Sequence, residues 1–270
     1  MKKYQKYLFT AAVIIPLCFW GIRVYSFERL KPKHSKAVHT DFGQIYYSPD
    51  AVTQDSIQHM VKLIEKSLKA TDQTLAFEPA SDLKVLYFFG EKKISSAFPK
   101  HNIIRFYHFN AIYPPYIHEY IHTQMGSFEE YWFTEGYTTY LSLYIKSKHP
   151  ELQRIYDIND NWFIQIKNNN QLCDIDDLWR KYDEDGVRNL IRIEEDNPKL
   201  NTFAEKVDYY KLSAAFCEYL SKKVGFTELL TMAKNEKYSS IRIPLEQDGF
   251  SVDEHFERWV DERFQKTLRY

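Results

Sequence analysis

The sequence predicts an α+β protein: a small N-terminal α/β lobe with a short sheet, one histidine-bearing helix, and then an all-helical C-terminal lobe. Three observations carry this reading. Compact β-prone runs lie between residues 43 and 109. Beyond them, apolar residues recur at helical spacing along nearly all of the chain. Glycines number only 8 in 270 residues, which suits long helices better than the tight turns of a β-sandwich. Hydrophobic residues make up 44 %, enough for a sizeable core and too many for a disordered chain. A formal net charge of −1 argues against a nucleic-acid partner, because no cationic surplus exists to neutralise phosphates.

The chain opens with three lysines in six residues, then runs apolar from Leu8 to Ile22, fifteen residues, before Arg23. That length is the upper end of a signal-peptide core and short for a spanning helix. Residues 1–27 are therefore expected to be a membrane anchor, holding the chain through residues 7–27, with a cleaved export signal as the alternative. Both place the remainder outside the cytoplasm, since the positive end stays inside. A hydrophobic helix packed on a soluble domain is the third reading. Residues 28–40 are basic, contain Pro32 and lack periodicity, so they read as a linker. One domain is expected over 41–270, with an α/β lobe at 41–125 and a helical lobe at 126–270.

Within that domain, GQIYYSP (43–49) reads as a short strand. Val52, Ile57, Val61, Ile64 and Leu68 then fall at helical spacing over 50–70, with Asp50 able to cap the start. LKVLYFF (83–89) is a second strand, and NIIRFYHF (102–109) alternates as a third. Pro114 and Pro115 break the chain and can sit in the first turn of a helix carrying HEYIH. Another helix begins near Glu129 or Trp132 and runs to about Ser147. Further helices are expected near 151–167, 175–182, 185–194, 206–223, 226–234 and 251–267. Gly225 marks a stop between two of them.

The chemistry is concentrated in YIHEYIHTQMGSFEEYWFTEGYTTY (116–140). His118 and His122 are four apart, so a helix stacks them on one face and aims two imidazoles at one point. Zinc accepts such nitrogen ligands and keeps one position for water when three protein groups bind it. Glu119 is rotated about 100° around the helix from His118. It suits a general base on metal-activated water better than a ligand. The third ligand must come from elsewhere, and Glu135 is the best candidate. On a helix it shares a stripe with Thr138, Thr139 and Ser142. Taken alone, a glutamate in such a stripe is as often merely solvated. Gly136 beside it marks a close backbone approach. Glu129 and Glu130 are fallback ligands, expected to be exposed.

HEYIH followed by WFTEG resembles the gluzincin metallopeptidases, which pair H-E-x-x-H with a downstream glutamate. YYKLSAAFCEYLSKKVG (209–225) and FSVDEHFERWVDERF (250–264) are similar to later helices of the bacterial peptidase-MA-like group. The resemblance implies a zincin-like fold and a zinc peptidase acting on a peptide or protein substrate. It makes His118, His122 and Glu135 the ligands of Zn2+, Glu119 the base, and Tyr210 the donor to the oxyanion. Tyr210 also reads as an ordinary packed tyrosine. An extended substrate is expected along the strand at 102–109. Two departures stand out. Twelve residues separate His122 from Glu135, and Thr139 stands where several relatives carry an acid. The second departure supports an alternative: a catalytically inactive, membrane-tethered binding or assembly factor on the same fold.

His108 could face a cleft, but it and the other histidines, His101 among them, read as solvated. Cys173 and Cys217 could pair, but Cys217 sits among apolar residues and reads as a buried small side chain.

Overall fold

Ile45, Val85 and Ile104 are fully buried at the middle of the three β-prone runs. They are cross-strand partners, Ile45 opposite Val85 and Val85 opposite Ile104, in parallel ladders. The structure is a computed structural model that describes residues 27–91, 93–108, 114–152, 176–193, 200 and 202–267. Its sheet contains β1 (Lys36–Thr40), β2 (Gly43–Tyr47), β3 (Leu83–Phe89), β4 (Ser96–Phe98) and β5 (Ile103–His108). The order across it is β1-β2-β3-β5-β4, with the two end strands antiparallel to their neighbours.

Three expectations are corrected here. The basic linker at 28–40 is not all linker, because Lys36–Thr40 pair with β2 as the end strand of the sheet. The strand at 102–109 is not an edge: β3 flanks β5 on one side and β4 on the other. The expectation of a membrane-anchored, single-pass chain is also overturned. Among the described residues, no helix is long and apolar enough to cross a membrane. Of residues 1–27, on which that anchor is expected, 1–26 lie outside the described residues, as do Cys173 and most of the helix expected at 151–167.

Between β2 and β3 runs α1 (Gln54–Leu75), which buries Ile57, Met60, Ile64 and Leu68 along one stripe. Its cap is Thr53, whose side chain accepts from the Ser56 N–H; Asp50 lies instead in a short 3₁₀ turn. After β5 and the two prolines comes α2 (Tyr116–Met125). Its back is pinned at two levels. The Tyr116 hydroxyl meets that of Tyr87 on β3 at 2.8 Å. One turn on, the Tyr120 hydroxyl donates to Asp72 on α1 at 2.9 Å and accepts from Gln124 at 2.8 Å. His118 and His122 are two residues out of step with these tyrosines, so they face the opposite side.

That side is covered by α3 (Tyr131–Lys148), which follows the turn at 126–130. The rest is helical: α4 (Asp176–Lys181), α5 (Glu184–Ile191), α6 (Phe203–Val224), α7 (Phe226–Asn235), α8 (Arg242–Gln247) and α9 (Val252–Thr267). The main helix pair is α3 with α6. They touch at Gly136, where an added Cβ would lie 2.6 Å from the backbone carbon of Ser213. The helical content and the small sheet thus follow the sequence reading.

Candidate metal centre

Helix α2 places His118 and His122 one turn apart, with Nε2 atoms separated by 3.1 Å and rings nearly perpendicular. The helix stops at Gly126, whose N–H donates to the His122 carbonyl and whose φ is 77°. The chain then turns within five residues. Thr134 fastens that turn, accepting from the Phe128 N–H at 2.9 Å. Helix α3 therefore starts at Tyr131 and delivers Glu135 onto the two imidazoles. Its Oε2 lies 3.3 Å from His118 Nε2 and 3.5 Å from His122 Nε2.

These three distances test whether an ion fits. Ligands about 2.0–2.1 Å from a tetrahedral zinc lie about 3.3 Å from one another. The observed separations of 3.1, 3.3 and 3.5 Å match that edge length. The donor set, two imidazole nitrogens and one carboxylate oxygen, also suits zinc. Among the described residues this is the one group of three or more His, Cys, Asp or Glu side chains so arranged.

Electrostatics follow from the enclosure. Burial pushes the Glu119 carboxyl up to about 8; His122 opposes this, Glu135 adds to it, and a hydrogen bond from the Ala97 N–H lowers it. Burial would raise Glu135 too, but the charge of His122 and hydrogen bonds from both histidines outweigh it. Its carboxyl is held well below the usual range. Burial pushes His118 down. His122 is pushed up, because Glu135 overcomes the opposing effect of burial.

The structure thus brings His118, Glu119, His122 and Glu135 to one place. Tyr210, from α6, is alongside: its ring lies nearly parallel to that of His118, with centroids 6.4 Å apart. Its hydroxyl meets that of Tyr131 at 3.1 Å, a residue the sequence reading passed over. The helical spacing of Tyr131 and Glu135, one turn apart, was the signal available. Glu130 is a correction, since it is not exposed and is not one of the three side chains that meet. It is buried and accepts from the Ser240 hydroxyl and, at 3.0 Å, the Ile241 N–H. Glu129 is exposed as expected. His108 is half-buried rather than solvated, with Nδ1 3.1 Å from the Tyr87 hydroxyl. Thr139 is buried and its hydroxyl has no hydrogen-bond partner among the described residues; it is Thr138 whose hydroxyl lies 3.5 Å from His122 Nδ1.

The fold and site define a mixed α+β protein with a His-His-Glu group, set at a two-helix corner, that could hold a metal ion. No protein-family model matches the chain, and no curated protein matches it. Among solved structures it is similar to native yeast LTA4 hydrolase, with a TM-score of 0.47 and 15 % sequence identity. The alignment covers 74 % of this chain and 32 % of that one, so the chain spans about a third of that structure's length.

Proposed function

We propose that this chain is a zinc-dependent peptidase of the gluzincin type, hydrolysing peptide bonds with Glu119 as general base. One observation carries the reading: three ligand atoms at tetrahedral spacing with a buried carboxylate on the adjoining helix position. His118, His122 and Glu135 would hold the ion. When bound, zinc supplies Lewis-acid chemistry, acidifying water and polarising a carbonyl.

The chain's own residues do the rest. Glu119 is buried next to His118 and about 100° around the helix from it, a position from which a carboxylate can take up a proton without binding the same ion. The Ala97 backbone on β4 lies beside that carboxylate, so the end strand of the sheet adjoins the site. In this reading the substrate is an extended peptide added to β4, the end strand beside Glu119. The Tyr210 hydroxyl, kept protonated by burial and by the charge of Glu135, would donate to the carbonyl oxygen as negative charge develops there. The proton held by Glu119 would then pass to the leaving amine. In this reading the α/β lobe to residue 125 supplies the base, two ligands and the substrate strand. The helical lobe supplies Glu135 and Tyr210.

Metal analysis of the purified chain tests this directly. About one zinc per chain is expected, lost in His118→Ala and His122→Ala. Glu119→Gln should keep its zinc while peptide hydrolysis falls roughly 10²–10⁴-fold. Stable protein that binds no metal, or hydrolysis that survives chelation, would overturn the proposal. The hydroxyl of Thr138 at His122 Nδ1, where a carboxylate would strengthen ligation, favours one second reading: a zinc-holding binding factor without turnover. Glu119→Gln separates the two, since the binding factor would lose nothing.

A further inference from the structure

Tyr131 opens α3 one turn before Glu135, so the two side chains project from the same strip of helix. Its hydroxyl lies 3.1 Å from that of Tyr210. Its ring rests on the fully buried ring of Tyr209, 5.7 Å between centroids and 24° between planes. The ring of Tyr210 in turn lies along His118. Two phenols from two helices therefore meet beside the His-His-Glu group, and each is fixed from behind by an aromatic ring.

A phenol has one proton to give and two lone pairs to receive. If Tyr210 gave its proton to Tyr131, none would remain for a reacting oxygen. The pair is competent only when Tyr131 donates and Tyr210 accepts. In that arrangement the Tyr210 proton turns toward the metal group, and accepting one hydrogen bond strengthens its donation of the next. A phenylalanine at 131 would fill the same volume and rest on Tyr209 equally well. Filling space therefore does not require the hydroxyl, whereas the contact with Tyr210 does.

We propose that Tyr131 is a positioning residue, whose phenol holds the Tyr210 hydroxyl and directs its proton toward the carbonyl oxygen of a bound peptide. This rests on the peptidase reading above. A phenol ordinarily ionises near pH 10, so both hydroxyls carry their protons at neutral pH, as the arrangement requires.

The test is a double-mutant cycle on the zinc-loaded full chain, with a spectroscopic readout beside it. Tyr131→Phe should lower kcat about tenfold, the effect of one lost hydrogen bond at an activated donor, with KM within about twofold. Tyr210→Phe should lower kcat roughly 10²–10³-fold, and the double variant should be no worse than Tyr210→Phe alone. Zinc content and Tm should match the parent in Tyr131→Phe. Independently of turnover, the ¹³Cζ NMR signal of Tyr210 should move in Tyr131→Phe and return to the parent value in no aromatic substitution lacking a hydroxyl. Full kcat in Tyr131→Phe, losses that multiply in the double variant, or an unmoved Tyr210 signal would each overturn the assignment. A parent chain that binds zinc yet hydrolyses no peptide would instead overturn the peptidase reading, while the Tyr210 signal still decides whether the two hydroxyls are coupled.

Discussion

Four glutamates lie within the stretch from Glu119 to Glu135, and the structure gives them four different surroundings. Glu119 and Glu135 stood out in the sequence through their neighbours and through the resemblance of HEYIH plus WFTEG to the gluzincin pattern. One adjoins a helical histidine pair, and the other precedes a glycine at a helix start. Glu130 was not legible. Its partners, Ser240 and Ile241, stand 110 and 111 residues along the chain, and no local pattern announces them. At the start of α3 its carboxylate closes the turn between the two ligand-bearing helices, with Glu129 adding an N–H bond to the Ser239 carbonyl at 3.1 Å. Glu130→Ala would leave the Ile241 N–H and the Ser240 hydroxyl buried without their acceptor. The expected loss in unfolding free energy is about 2–3 kcal/mol, read from urea denaturation of the metal-free chain. A change below about 0.5 kcal/mol, the range of ordinary surface substitutions, would mean that the turn holds without this clamp.

Elements were legible in proportion to their length and periodicity. The helices α1, α2, α3, α6, α7 and α9 and the strands β2, β3 and β5 all carry a repeat several residues long, and each was placed within a few residues. The short helices α4 and α5 were placed as well, whereas the three-residue strand β4 and the six-residue helix α8 were not read. The strand β1 was hidden because an end strand with one wet face, rich in Lys and His, has the composition of a linker. Gly136 is the element-scale feature that sequence reasoning did find. It allows the backbones of α3 and α6 to come close, and so brings Tyr210 toward the helix that carries Glu135. An alanine there gains about 1 kcal/mol in helix propensity. Against this, its Cβ would lie 2.6 Å from both the carbonyl carbon and the Cβ of Ser213, too near for any rotamer change to relieve. Gly136→Ala should therefore be destabilised by about 1–3 kcal/mol net and should bind zinc more weakly than the parent. Ser213→Gly should not rescue it, because the backbone atoms of residue 213 remain in the way. Unchanged stability and zinc affinity in Gly136→Ala would show that the helices separate without consequence.

At the scale of the whole molecule, the metal group lies where two differently built parts meet. The sheet and α1 fix the back of α2 through Tyr116 and Tyr120, and α6 fixes α3 at Gly136. Between them the chain crosses only at the short turn 126–130. Two of the three candidate ligands come from one side of that turn and one from the other, so an ion bound by all three would join the parts and favour the folded chain over the unfolded one. The sequence made this arrangement legible in outline, since the two histidines precede the turn and Glu135 follows it. What it could not supply was the 3.3–3.5 Å approach of Glu135 to the histidines, which depends on contacts with α6 and with the segment before α8. Linkage gives the size of the effect. Zinc at a hundred times its dissociation constant stabilises by about 2.7 kcal/mol, equivalent to a rise of about 5–10 °C in Tm for a folded unit of this size. The rise should vanish on adding a chelator and should be absent in His118→Ala and in Glu135→Gln, which sit on opposite sides of the turn. Loss of the rise in His118→Ala but not in Glu135→Gln would mean that the ion is held by α2 alone. In that case the two parts would be joined by packing and by the Glu130 clamp, with no contribution from the metal.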